Sequence, residues 1–150
     1  MSGGPAREAL ERLREALPPV ERFEYGPVDV PAACAQYAEA GYPVTDQLRG
    51  FLGDYAELEL AWLFEDWEEL LDTTVETALS VPARNVRIDA DRVGKPLLPI
   101  GRAFDTEEAV LLAPDGEVLL GGDAGMQRVA YGFPQAVKAI VTGEWDKTFF

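Results

Sequence analysis

The hydrophobic period of this chain switches at Leu58, and the switch constrains the fold more than any single motif does. Before it, apolar residues recur at helical spacing. Leu10, Leu13 and Leu17 fall at i, i+3 and i+7 between Pro5, tolerated as a first helical residue, and Pro18-Pro19, which stop the helix. A second helix is predicted over residues 31–40, carrying Ala33, Cys34, Tyr37 and Ala38 and ending at Gly41. Thr45 caps a third, in which Leu48, Phe51, Leu52 and Tyr55 form one wide apolar stripe. From Leu58 the pattern alternates instead, with Leu58, Leu60, Trp62 and Phe64 set against Glu59, Ala61, Leu63 and Glu65, the period of a half-buried strand.

Trp67, Leu70 and Leu71 read either as the return strand of a hairpin or as a helical turn, and residues 73–80 and 82–93 as short helices. Gly94-Lys95-Pro96 turns the chain into Leu97-Leu98-Pro99-Ile100-Gly101. Val110-Leu111-Leu112 and Val118-Leu119-Leu120 flank Ala113-Pro114-Asp115-Gly116-Glu117, a tight hairpin in which Asp-Gly supplies the positive-φ position. Gly121-Gly122-Asp123-Ala124-Gly125 reads as a flexible connection and residues 127–131 as one more strand. Pro134 opens a last helix, with Ala136, Val137, Ile140 and Val141 inward and Gly143 at its end. Helices at both ends with strands between them predict one α+β domain, a mostly antiparallel sheet with flanking helices. Residues 1–18 form an N-terminal amphipathic helix or extension, and 19–150 the body of the domain.

Composition removes several function classes. The chain has 150 residues, 47% of them hydrophobic, which suffices for a real core. Thirteen Lys and Arg against 27 Asp and Glu leave a net charge of −14, which repels phosphate backbones and anionic lipid, so neither nucleic acid nor membrane is an expected partner. With no His at all, imidazole bases, Ser-His-Asp triads and His-ligated zinc are excluded. One cysteine, Cys34, forms no internal disulfide; it reads as a small packed hydrophobe, and the composition fits the cytoplasm. No signal peptide or membrane span is recognisable.

Asp89-Ala90-Asp91-Arg92-Val93-Gly94 opens like a calcium loop, but Val93 and Ile100 stand where oxygen ligands are required, leaving a surface turn. The glycines at 121, 122 and 125 match no phosphate cradle, and Gly94-Lys95 is followed by Pro96 instead of a hydroxyl residue. No metal or cofactor is expected.

Charge placement is more informative. Between Phe51 and Ser80 lie nine acids, Asp54, Glu57, Glu59, Glu65, Asp66, Glu68, Glu69, Asp72 and Glu76, and no Lys or Arg. Trp62 and Trp67 sit among them, residues of a type that anchors protein interfaces. One reading is a docking surface for a basic protein, formed by Glu57, Glu59, Trp62, Glu65, Asp66, Trp67, Glu68, Glu69 and Asp72, with the acids steering encounter. The other is a solvated acidic face with both tryptophans in the core. An enzyme built on paired carboxylates is a further alternative; it requires a concave pocket holding at least two of them with split pKa values.

Ala40-Gly41-Tyr42-Pro43-Val44-Thr45, then Leu48, Phe51-Leu52 and Tyr55, Gly94-Lys95-Pro96-Leu97-Leu98-Pro99-Ile100-Gly101, the hairpin at Asp115-Gly116, and Gly132-Phe133-Pro134 occur in an order that resembles the SUKH superfamily. Within it they are most similar to the third subfamily, found in bacterial immunity proteins. The likeness spans roughly residues 19–143. It implies a SUKH-like α+β domain that binds and neutralises a cognate toxin, usually a nuclease or deaminase encoded beside it, without catalysis of its own. Phe51, Leu52, Pro99 and Gly101 are then core and turn residues. One departure stands out: the family often has Gly-Gly-Leu after the Phe-Leu helix, where this chain has Ala56-Glu57-Leu58. A protein-interaction or regulatory module of the same fold is the alternative function.

Overall fold

The alternation beginning at Leu58 does form a strand, and each later strand adds beside its predecessor. The computed structural model describes residues 7–150, so Pro5 lies outside the described residues. Seven strands, β1 (Arg22–Tyr25), β2 (Leu58–Phe64), β3 (Trp67–Asp72), β4 (Leu98–Ala103), β5 (Glu108–Leu112), β6 (Glu117–Gly122) and β7 (Gly125–Tyr131), pair in sequence order in one antiparallel sheet. Six helices, α1 (Glu8–Ala16), α2 (Val30–Glu39), α3 (Asp46–Tyr55), α4 (Val75–Leu79), α5 (Ala83–Val93) and α6 (Phe133–Thr142), pack against it in a single α+β domain.

Local chemistry explains the helix ends. Thr45 Oγ1 accepts a hydrogen bond from the Leu48 amide at 3.1 Å and the Asp29 carboxylate one from Ala32 at 3.1 Å, while Gly94 and Gly143 close α5 and α6 at φ of 77° and 76°. The stripes seen in the sequence face inward. Leu10 and Leu13 of α1, Cys34 and Tyr37 of α2, Leu48 and Leu52 of α3, and Val137 and Ile140 of α6 share one core with Leu58, Leu60, Trp62, Val110, Val118 and Leu120. Ala38, in contrast, is exposed. The N-terminal helix is therefore packed on the domain. The opposite sheet face holds a smaller core, in which Val81 and Val86 meet Ala109, Leu111, Leu119 and Met126. β5 and β6 are buried on both faces, which is why they are unbroken apolar runs. Short α4 carries the chain across, with Val75 and Ala78 in the first core and Val81 in the second.

The structure resolves or corrects several expectations. Trp67, Leu70 and Leu71 lie in the return strand of the β2–β3 hairpin. Gly121 and Gly122 belong to β6, and Gly125 to β7, so the expected flexible connection is a turn of two residues between paired strands. The presumed surface turn at Asp89 is the last part of α5. Gly101 is a strand residue beside the irregularity between Pro99 and Gly101. A Cβ there would fall on the carbonyl oxygen of Asp72, so only glycine lets β4 approach the end of β3.

The β5–β6 turn is held by a buried carboxylate. Glu117, almost fully buried, accepts hydrogen bonds from Lys95 Nζ at 2.7 Å and from Arg128 Nη1 at 2.6 and 2.7 Å, and Lys95 also reaches Asp115 at 2.7 Å. Burial alone would push Glu117 upward, but the bonds from Lys95 and Arg128 prevail and hold its carboxyl below the usual range. The hydrogen bond from Lys95 lowers Asp115 as well. Groups depressed in the folded state stabilise it above their unfolded values, about pH 4, and that stabilisation is lost as pH falls through the lower folded values.

Two outcomes follow. Gly101→Ala should destabilise the protein by about 3 kcal/mol or more, read from urea unfolding. Glu117→Gln should cost about 1–3 kcal/mol at neutral pH and flatten the acid limb of the stability profile.

Candidate functional site

The two sheet faces are not covered alike. Helices α1, α2, α3 and α6 line one face, but the smaller core under α5 draws only on β5, β6 and β7 and on Leu97 just before β4. Among the described residues the far face of β1–β3 therefore carries no helix. Antiparallel partners share a face, so the register of Arg22 with Ala61, Glu24 with Glu59, Leu63 with Glu68, Ala61 with Leu70 and Glu59 with Asp72 places all these residues on that open side. Leu63 is 56% exposed and Leu70 41%. Sequence reasoning passed over both leucines, although the alternation already set Leu63 outward; the usable signal was a large apolar residue at an outward position among acids.

The nine expected docking residues separate into three groups. Trp62 is only 1% exposed and lies edge-on to Phe104 within the main core, so it is removed from the docking set. Strand parity sent it inward with Leu58 and Leu60. Glu57 and Asp72 serve the fold instead: Glu57 accepts the Val75 amide at 2.8 Å, and Asp72 accepts the Thr74 amide at 2.8 Å and the Thr77 hydroxyl at 3.0 Å. These bonds tie the first turn of α4 to β2 and β3.

The remaining six, Glu59, Glu65, Asp66, Trp67, Glu68 and Glu69, stay on the β2–β3 hairpin. Trp67 is 72% exposed at its tip. None of these acids forms an ion pair among the described residues. They do not share one face. Glu59 and Glu68 join Leu63 and Leu70 on the open side, Glu65 and Asp66 form the turn, and Trp67 and Glu69 pair with Phe64 and Trp62 on the helical side. Glu69 accepts the Asp105 amide at 3.3 Å. The segment without cations in the sequence acquires some in space, because Arg22 of β1 lies beside Ala61 and Arg102 of β4 beside Asp72. The tip keeps the strongest negative character, with Lys147 approaching from the helical side, 5.5 Å from the Phe64 ring centre.

A concave feature lies elsewhere, a cleft of about 780 Å³ between α5 and the ends of β5 and β6. Burial raises the carboxyls of Asp89 and Glu108, both on its walls. These two do not make a catalytic pair. Asp89 lies against Gly121 and Glu108 against Gly122, consecutive strand residues whose substituents point to opposite sheet faces.

No family model, curated protein or solved structure matches the chain.

Glu57 has φ of 63°, the left-handed region that glycine adopts without strain. Glu57→Ala keeps that strain and loses the bond to Val75, so it should cost about 1–3 kcal/mol. Glu57→Gly relieves the strain while losing the same bond and should prove the milder change by about 1 kcal/mol in parallel thermal unfolding.

Proposed function

We propose that this protein is an immunity protein of the cytoplasm, which neutralises a cognate toxin by stoichiometric occlusion and performs no catalysis itself. The partner is a basic protein domain, such as a nuclease or deaminase, docked on the β2–β3 hairpin. The observation that carries this reading is the hairpin itself: Trp67 is 72% exposed at its tip, next to Glu65, Asp66 and Glu68, on strands whose far face no helix covers among the described residues. An exposed tryptophan at the hairpin tip suits the desolvated centre of an interface, and the unpaired acids around it suit its rim and its encounter rate. An interface of about 1,200–2,000 Å² is the ordinary size for such a complex.

The resemblance to SUKH immunity proteins supports the same reading. Where that family often has glycine, this chain has Glu57 in a left-handed conformation. The backbone path expected of the glycine is thus compatible with the chain despite the substitution. Among the described residues no helix is long and apolar enough to cross a membrane.

Neighbouring reading frames should be expressed alone and with this protein in a growth assay. Arrest by one neighbour and its rescue by co-expression support immunity; toxicity that persists beside soluble protein refutes it and leaves the regulatory module as the better reading. With the toxin in hand, charge reversal at Glu65, Asp66, Glu68 and Glu69 should slow association at low salt by about tenfold or more. Trp67→Ala should weaken binding by about 2 kcal/mol, mainly through faster dissociation. An association rate unchanged by charge reversal would eliminate the acidic docking surface.

A further inference from the structure

One row of side chains crosses the sheet on the face away from the main core. The register aligns Glu59, Asp72, Arg102, Ala109, Gly121 and Met126, and antiparallel partners share a face. Ala109 and Met126 of that row lie in the smaller core under α5. The open side of β1–β3 is therefore the other half of the surface that α5 covers, and among the described residues it lacks the layer that α5 supplies. Three strands about 4.8 Å apart span about 10 Å, the width of one helix.

This half-face combines apolar and acidic groups. Leu63 follows Ala61 along β2 and Leu70 lies opposite Ala61 on β3, so the two exposed leucines are diagonal neighbours within reach of one another, while Ala61 is buried. The same pairing sets like charges side by side: Glu24, Glu59 and Asp72 stand in one line across the three strands, an arrangement that costs stability. Two of them are relieved within the chain. Glu24 has Arg22 at 3.9 Å, and Asp72 accepts the Thr74 amide and the Thr77 hydroxyl. Arg102, the cation at the end of that line, donates to the Ser80 hydroxyl and carbonyl and to the Glu107 carbonyl. Glu59 forms no ion pair among the described residues, nor does Glu68, which lies opposite Leu63. What remains is a pair of exposed leucines flanked by two carboxylates without a counter-charge.

We propose that a basic amphipathic helix of the partner protein covers this half-face, seating aliphatic side chains on Leu63 and Leu70 and Lys or Arg side chains beside Glu59 and Glu68. The inference rests on the immunity reading and extends it, because it names the kind of element the toxin presents and carries the contact from the hairpin tip onto the strands behind it. The two areas are continuous, since Leu63 and Glu68 stand two residues from Glu65 and Asp66 of the turn. Trp67 faces the helical side, so a partner engaging both would clasp the hairpin from its two faces. A second copy of this chain suits the face less well: each copy carries a net charge of −14, and its own open side would bring the same unpaired carboxylates.

The test uses the full chain in complex with the toxin domain that the growth assay identifies. Intermolecular NOEs from the Leu63 and Leu70 methyls should reach one helix of the toxin, a readout that needs no variant. Leu63→Ser with Leu70→Ser should weaken binding about tenfold or more through faster dissociation, and Glu59→Lys with Glu68→Lys should slow association about tenfold at low salt. All four positions are exposed, so both variants should fold, and an unshifted unfolding midpoint checks this. Growth rescue with NOEs confined to Trp67 and the tip, or reaching a strand or loop of the toxin, overturns this inference and leaves immunity standing, as does an affinity that the serine pair leaves unchanged. If no neighbour is neutralised, both fall. Methyl NOEs between two copies of the chain without toxin would assign the face to self-association and also overturn it.

Discussion

A narrow seam joins the two parts of this sheet. β3 and β4 share two register pairs, Leu71 with Ala103 and Asp72 with Arg102, extended by a bond from the Phe104 amide to the Leu70 carbonyl at 2.7 Å. The approach depends on Gly101, where any side chain would collide with the Asp72 backbone. Thr73 secures the same corner from the other side: its hydroxyl donates to the Tyr55 carbonyl at 2.6 Å and accepts the Leu58 amide at 3.2 Å. The end of α3, the start of β2, the end of β3 and the middle of β4 thus meet within a few residues. The setting of the β2–β3 hairpin on the four strands β4–β7 rests on that junction.

On one side of the seam the sheet is enclosed, and on the other it is half open. α5 covers only the later strands, so the acids of β2 and β3 remain in water, where their charge costs little. The carboxylates accordingly do different work by position. Glu117 is buried and carries two cations, Glu57 and Asp72 hold a helix start, and Glu65, Asp66 and Glu68 at the hairpin tip hold nothing of the fold. The sheet edges are protected by similarly local means. Arg14 donates to the Phe23 carbonyl at 2.8 Å along β1, and the Phe150 backbone exchanges bonds of 2.9 and 3.1 Å with Met126 along β7.

Much of this was legible along the chain where the deciding physics is local. The Thr45 cap, the stripe Leu48-Phe51-Leu52, the turn at Asp115-Gly116 and the glycines closing α5 and α6 depend on neighbours within one or two turns. The failures are equally specific. Gly121-Gly122 resembled a loop because glycine has no side chain to mark a strand face, and the group that stands against Gly121, the Asp89 carboxylate of α5, is 32 residues away. Asp89-Ala90-Asp91 resembled a turn because acids and a following glycine suit both turns and the end of a helix.

The sequence by itself determined helices α1, α2, α3 and α6, the strand from Leu58, the β5–β6 hairpin, the antiparallel class of the sheet, most inward residues of these elements and the acidic character of the region around the β2–β3 hairpin, but it passed over β1 and left β3 undecided. Periodicity, capping and turn chemistry act over a few residues, and charge is counted without coordinates. Only the tertiary structure decided which of two tryptophans is a core residue and which is exposed, which acids are engaged by the fold, and where a cleft opens. Those outcomes depend on which sheet face a distant helix covers, and on close approaches such as Gly101 to Asp72, which join segments that no local pattern connects.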